Sequence, residues 1–519
     1  MNKIATIPFE QTHQFGRLFL DYIQQKPQVR MFYEYFPTPE NVARQIEKKK
    51  FSSFQRAELV ETLFRQYKNV DNPPIHTIQQ LLDERTYTVT TGHQLCIYTG
   101  TLFFIYKIIT TIRLAEELSA HYPSYRFIPV FWMASEDHDF AEINHFYLFG
   151  KKYEWHLPAV KGAVGKLNPS SLAQIAQEVR EIPAFFRDFY ANSSSLAEAT
   201  RKIVHHLFGD KGLLVIDGDD VQLKKSLRSI AADDLTNHTL KNLLEQTAAS
   251  LSSHGYDTQV HAREINFFYL DNFLRERIEI EKEGYKVLNT SFTFSKEDIL
   301  TLLEERPEKF SPNVVVRPLY QEIVLPNLAY VGGPAEVTYW LQLKLAFDYY
   351  QVAFPLIVPR NFAMIFTQLH ANKLAKLSLE AKDLFLNEQA LKEIFLAKNI
   401  QKRPDFTEAY QKLEQLTQYV AQLATTVDKS LDGFVKAEMK QVVKILEGIE
   451  KRVKKAEENQ HETSFRQLFS LKEKLFPNGV PQERHDCYLQ FFANDEKFIE
   501  KLFGIFDPFT FEYYLLSYA

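Results

Sequence analysis

Between Thr86 and His145 short apolar runs alternate with a helical pattern, and the rest of the chain is read around this stretch. Tyr87 to Thr90 is β-branched and aromatic and predicts a buried strand that Gly92 breaks. From Leu102 the apolar positions Leu102, Ile105, Ile108, Ile109, Ile112 and Leu114 recur at helical spacing. Phe127 to Met133 is a second apolar run, ended by Ser135-Glu136-Asp137-His138-Asp139. Strand, helix, strand in that order predicts a parallel βαβ unit, and so an α/β fold. Ligands of such sheets bind beyond the carboxyl ends of the strands. Both polar clusters, Thr91-Gly92-His93-Gln94 and Glu136 to Asp139, fall at those ends.

The pattern resumes over residues 311 to 362. Val314 to Val316 is apolar and ends at Arg317-Pro318, and Leu328 to Val331 predicts a strand that stops at Gly332-Gly333-Pro334. A helix over Ala335 to Tyr349 and a strand over Phe354 to Val358, ended by Pro359-Arg360, follow. Both halves are expected to share one sheet, interrupted by the middle of the chain. Residues 1 to 84 read as helical up to the turn at Asp71 to Pro74, and residues 146 to 166 as an antiparallel hairpin. Leu172 to Phe208 is helical. Gly212 to Asp217 is another buried strand ending in acids, helices run from Val221 to about Ser253, and Tyr256 to Asp271 and Glu279 to Val287 read as strands.

From about Asn372 Gly and Pro become rare, and apolar positions from Leu413 to Val453 step by threes and fours, a coiled-coil seam. A single helix from Asp405 to Glu458 would be roughly 80 Å long. It needs a partner: a helix over about residues 366 to 400, a second subunit, or both. The expected organisation is a core over residues 1–370 with inserted segments at about 146–310, a helical arm over 371–476, and a segment over 477–519 that docks back on the core.

With 519 residues the chain exceeds one simple core, and two or three domains are expected. A net charge of −5 provides no basic patch for nucleic acid. No signal peptide is seen, and no apolar run nears the ~20 residues of a membrane span. Cys96 and Cys487 lie far apart, which excludes a disulfide framework and a cysteine-based zinc cluster. A cytoplasmic, reduced protein is the expectation.

Three groups carry candidate chemistry. Thr91-Gly92-His93-Gln94 joins strand to helix, where a glycine admits close approach and a helix N-terminus favours an anion. Thr99-Gly100-Thr101 supplies a cap, and Lys107 lies on the helix that follows. An ordinary turn with a buried histidine explains the same residues equally well. The stretch is neither a P-loop nor a GxGxxG fingerprint. In the second group, Glu136, Asp137, His138 and Asp139 with Asn144 and His145, the charges need a ligand, a metal or water. His138 and His145, seven apart, would share a helix face, and with Asp139 they are candidate metal ligands. The plainer reading is an acidic helix N-terminus. The third group is Arg317, Glu322, Tyr330, Gly332, Gly333, Glu336 and Tyr339. Gly-Gly-Pro before a helix builds an anion site, and Arg317 and Arg360 can clamp carboxylates. Near the C-terminus Asn478, Gln482 and Arg484 are candidates for a second anion or nucleotide pocket, although a loop-fixing ion pair suits Gln482-Glu483-Arg484 better.

The stretches TGHQLCIYTGTLFFIYKIITTI, PVFWMASEDHDFAEINH, SPNVVVRPLYQEIVLPNLAYVGGPAEVTYWLQLK, PLIVPR and KLFPNGVPQER run in this order over essentially the whole chain. Together they resemble the bacillithiol biosynthesis family BshC, the cysteine-adding enzymes. The resemblance implies a Rossmann-like core akin to class I synthetases and nucleotidylyltransferases, with inserted connecting segments and a coiled-coil arm that makes a homodimer. The implied activity joins L-cysteine to the amino group of glucosaminyl-malate. His93, Asp137, His138 and Asp139 are then the candidates for amine deprotonation and orientation. ATP or another nucleotide, and a divalent metal, are the candidate cofactors. Cys96 and Ala335 stand where glycine is expected in the family, and the signature motifs of true class I synthetases are not recognisable. Two other readings stay open: a nucleotidyltransferase whose phosphates meet His93, and a helical scaffold.

Overall fold

Five parallel strands make the central sheet, in the order Leu356–Pro359, Asn327–Gly332, Thr86–His93, Arg126–Met133, Leu214–Asp217. The computed structural model describes residues 1–282, 284–400 and 404–518. Gln401 to Arg403 in the expected arm and Ala519 at its docking end lie outside the described residues. The strands are apolar almost throughout because both faces of a parallel sheet are covered. On one face Tyr87, Val89, Leu328 and Val331 pack against Leu114 and Leu118 of the Leu102–His121 helix, and against Val42 and Ile46.

The two halves of the chain do share this sheet. From Thr86–His93 the next strands in sequence are added on one side, and Asn327–Gly332 and Leu356–Pro359 on the other. Strand order therefore reverses between Thr86–His93 and Asn327–Gly332, the place where open α/β sheets form a crevice at their carboxyl edge. Gly92 does not break its strand. It pairs in register with Trp132, and the strand runs on to His93.

Other elements depart from local reading where their partners are distant. Asn2–Pro8, expected to be helical, is a strand paired antiparallel with Glu512–Tyr518 from the far end of the sequence. An antiparallel sheet orders Thr293–Phe294, Gly284–Val287, Leu274–Glu281, Phe267–Asp271 and Phe310–Pro312. Residues 256 to 266 form no strand. Arg317 does not end a strand; it opens the Arg317–Val324 helix. The hairpin His145–Leu148 with Lys151–Glu154 forms as expected.

The chain divides into two compact units, Met1–Ile365 with Val480–Ser517, and Phe366–Gly479. In the second unit the single long helix is not formed. The chain turns at Asp428, whose side chain accepts from Ser430 N, so that Thr407–Val427 and Leu431–Gln460 pack as a hairpin. Tyr410 donates to Glu450 across it at 2.7 Å. The step from Val427 to Leu431 is four residues whether a helix continues or folds back, so periodicity alone does not reveal the turn. Among the described residues no helix is long and apolar enough to cross a membrane.

Candidate active site at the carboxyl edge of the sheet

Gly92 lies beside the strand-order reversal, with Arg317 and Tyr330 against the side of the strand that a side chain there would occupy. A Cβ there would lie 3.5 Å from both Arg317 Nη1 and the Tyr330 hydroxyl. Arg317 donates to Tyr339 Oη at 3.0 Å and to Gln321 Oε1 at 3.1 Å, and its guanidinium lies 5.6 Å from the centre of the Tyr330 ring. Burial works against its charge, but the phenols of Tyr339 and Tyr330 and the Glu336 carboxylate outweigh that and raise its pKa. It forms no ion pair among the described residues, so no carboxylate there neutralises the guanidinium that an anion would meet.

The helix Pro334–Gln342 starts at the Gly332-Gly333 turn, but its N-terminus is already occupied. Glu336 accepts from Gly333 N at 2.8 Å, from Tyr330 Oη at 2.5 Å and from Lys107 Nζ at 2.8–2.9 Å. This capping arrangement puts the chain's own carboxylate where a substrate anion was expected. Lys107 also donates to Gly92 O, so its three protons are used within the protein. Arg360 is likewise engaged. It pairs with Glu483 at 2.7 Å, donates to Asn361 O, and stacks 4.0 Å over Phe362. Glu483 also accepts from Ala363 N, and Gln482 from Ile365 N, the loop-fixing role read for this stretch.

His93 ends the central strand with Nδ1 2.9 Å from Gln94 O. A carbonyl can only accept, so Nδ1 carries the proton and Nε2 keeps its lone pair. Burial first, and Lys107 second, lower its pKa to about 4, so the ring is neutral at pH 7. Gln94, next to His93, reaches the residues after the neighbouring strand: its Nε2 lies 2.6 Å from both Asp137 Oδ2 and Glu142 Oε2. Burial pushes Asp137 up, but hydrogen bonds from the His138 backbone N–H and from Gln94, with the Arg275 charge, win and hold it well below the ordinary carboxylate range. Of the four expected groups, His93 and Asp137 are thus weak bases at neutral pH.

The acids around them are paired with cations of the chain. Lys224 pairs with Glu136 at 2.5 Å and with Asp219 at 2.8 Å, and Lys166 reaches Asp219 at 3.4 Å. Arg275 donates to His138 Nδ1 at 2.7 Å. His138 and His145 share no helix face, because the helix between them, Phe140–Ile143, is a single turn and His145 begins the hairpin. Asp139 caps that turn through Glu142 N. Asn144 bonds to Glu154 and His145. Among the described residues no three His, Cys, Asp or Glu side chains converge on a metal position, so this donor set does not fit a divalent ion.

Several candidates are placed elsewhere. Glu322 lies at the opposite, amino-terminal edge of the sheet, accepting from Asn327 and Gln321 and paired with Lys49. Thr91 donates to Val331 O across the sheet, and Thr99 is buried. Gly100 has φ +62°, and a Cβ on it would meet Cys96 Cβ at 2.7 Å. Asn478, in the second unit, forms a left-handed turn. Arg484 lines a cavity of about 250 Å³ with Arg17, Tyr256 and Pro334. Sequence reasoning missed Arg275, Lys224 and Lys166. Only the polar alternation of Leu274–Glu281 hints at the first, and nothing local ties it to His138.

Fold and site together define an α/β protein with a Rossmann-like core and a separate helical hairpin unit. Residues 2–361 match the family model for the N-terminal Rossmann-like domain of bacillithiol biosynthesis BshC, and residues 363–518 its C-terminal coiled-coil domain. Relatives named "Putative cysteine ligase BshC" include one from Cytophaga hutchinsonii, 41% identical over 99% of both chains. Another, from Flavobacterium johnsoniae, is 41% identical over 94% of both, and one from Bacillus cytotoxicus is 26% identical over 90% of this chain and 92% of its own. The chain belongs to the BshC family of bacillithiol biosynthesis.

Proposed function

We propose that this protein is a ligase that joins the carboxyl group of L-cysteine to the amino group of glucosaminyl-malate, the last step of bacillithiol biosynthesis, in the cytoplasm. The observation that carries this reading is the polarity of the sheet's carboxyl edge. Arg317, with no carboxylate partner among the described residues, flanks the central strand on one side, and Asp137 and Glu142, bridged by Gln94, flank it on the other. Glucosaminyl-malate has the same polarity, with malyl carboxylates for Arg317 and Tyr339 and an amine for the acidic side. His93 Nε2 accepts a hydrogen bond from the amine N–H and aims the nitrogen lone pair at the acyl carbon. The cysteine carboxylate must be activated for amide formation, and ATP is the co-reactant we assign to that task. Its phosphoryl or adenylyl group would be carried by the cysteine carboxyl oxygen and leave with that oxygen as the C–N bond forms, the amine proton passing to solvent.

The hairpin of the second unit leaves Leu416, Leu423, Ile445 and Ile449 exposed. We read this stripe as the surface through which two copies pair. A scaffold alone has no use for a guanidinium without a carboxylate partner, among the described residues, at the carboxyl edge of the sheet.

The test is mass spectrometry of purified protein with glucosaminyl-malate and L-cysteine, with and without ATP. The expected result is bacillithiol only when all three are present. Absence of product in every combination, from protein that is folded, would overturn the reading.

A further inference from the structure

We propose that Arg275 is a positioning residue that holds His138 in the tautomer with its proton on Nε2, so that His138 offers the cleft a hydrogen-bond donor. This rests on the reading of the carboxyl edge as an amide-forming site. Arg275 reaches from the Leu274–Glu281 strand of the antiparallel sheet to the polar cluster after Arg126–Met133. Its side chain is only 9% exposed and every edge of it is held. Nε donates to Ser311 Oγ at 3.1 Å, Nη2 to Pro312 O at 3.4 Å, and the guanidinium lies 4.0 Å over the Phe268 ring. The His138 ring packs near the same Phe268, 5.7 Å between centroids. The remaining edge, Nη1, sits 2.7 Å from His138 Nδ1.

A guanidinium has no lone pair to offer and does not release its protons in proteins. A 2.7 Å contact therefore requires Nδ1 to be the acceptor. Asp137 Oδ1, the competing partner that would favour a proton on Nδ1, is 3.6 Å from that nitrogen, beyond a real hydrogen bond. An imidazolium would set N–H against N–H beside a fixed positive charge. What remains is the neutral ring with hydrogen on Nε2. That nitrogen forms no hydrogen bond among the described residues, and the side chain is 49% exposed.

His93 is held the other way round, with its proton on Nδ1 and its lone pair on Nε2. Two histidines at neighbouring strand ends thus present one acceptor and one donor. The acceptor suits the sugar amine. The donor suits a carbonyl or carboxylate oxygen of the acyl partner, where negative charge grows during acyl transfer. His138 is then an oxygen-binding group and not the base that takes the amine proton.

The test uses full-length protein labelled with ¹³C,¹⁵N-histidine, the His138 signals being identified by their loss in His138→Gln. The expected spectrum near neutral pH has a pyrrole-type Nε2 and a pyridine-type Nδ1. A pyrrole-type Nδ1, or an imidazolium, would overturn the proposal. In Arg275→Met the two tautomers should mix and kcat should fall, while the affinity for glucosaminyl-malate by calorimetry stays within twofold. Arg275→Lys, which keeps one donor, should restore the Nε2–H signal and part of kcat. His138→Gln should lose about 100-fold or more in kcat, the scale of a lost oxyanion donor. An unchanged kcat in Arg275→Met, or a lysine variant no better than methionine, would also overturn it. A parent that forms no amide at all would instead sink the proposed function, and the tautomer measurement would still decide the hydrogen-bond assignment.

Discussion

Arg360 and Glu483 face each other at 2.7 Å with each side chain 2% exposed, one just after a central strand and the other in the C-terminal segment. Removing one member of such a pair leaves a buried charge uncompensated, which costs about 3–5 kcal/mol, whereas replacing both with apolar groups is often tolerated. Arg360→Ala should therefore lose about that much in denaturant titration. The double change Arg360→Met with Glu483→Leu should lose less than the single one. A single variant as stable as the parent but with weakened substrate binding would return Arg360 to the role of substrate clamp.

Arg317 should behave in the opposite way, because no carboxylate is left behind when it is removed. Arg317→Ala should weaken glucosaminyl-malate binding by about 2 kcal/mol, roughly 30-fold in Kd, with little change in melting temperature. Lysine should not restore it, since a point charge lacks the planar fork. Calorimetry on the three proteins reads this directly, and equal affinities would remove Arg317 from the site.

His93 predicts an acid-side stability loss. Its pKa is about 6.5 in an unfolded chain and is lowered to about 4 in the folded one. Between those values the unfolded chain binds the extra proton, so stability rises with pH through the window. The contribution, about 3 kcal/mol, is complete above pH 6.5 and is lost as pH falls towards 4. His93→Gln should remove this slope. The measurement is unfolding free energy against pH for parent and variant, and parallel curves would refute it.

Gly100 combines φ +62° with a Cβ position 2.7 Å from Cys96 Cβ. Gly100→Ala should cost about 1–3 kcal/mol for the backbone alone, and more from the clash. Adding Cys96→Gly should relieve the clash and leave the backbone cost, giving partial recovery of thermal stability. Recovery to the parent's value would show that the backbone is not strained there.

Pairing of the hairpin through its exposed stripe should fail when that stripe is charged. Val442 and Ile449 are 40% and 49% exposed, so Val442→Glu with Ile449→Glu should leave the monomer folded while making burial between copies costly. Light scattering should then read a dimer for the parent and a monomer for the variant. A parent that is monomeric at micromolar concentration, or a variant that stays dimeric, would place the interface elsewhere or nowhere.

The repeated strand–helix grammar, the sharing of one sheet by two distant halves and the polar clusters at its carboxyl edge are legible in the order of residues alone. Hydrophobic periodicity and turn residues are local signals; the strands and clusters are each written within a few turns of chain, and the repeat of the same grammar in two places pointed to a shared sheet. Which charges are neutralised within the protein emerges from packing between distant elements. Lys107, Glu336 and Arg360 looked like ligand groups, yet they satisfy one another, Tyr330 and Glu483. Arg317 looked no different and has no carboxylate partner among the described residues. His138 looked like a base or a metal ligand until Arg275, 137 residues away, set its tautomer. The same holds for the arm, where a four-residue step fits a straight helix and a hairpin alike. A charge or a lone pair is available only if nothing within hydrogen-bond reach has claimed it, and in this fold the claimants come from other elements far along the chain.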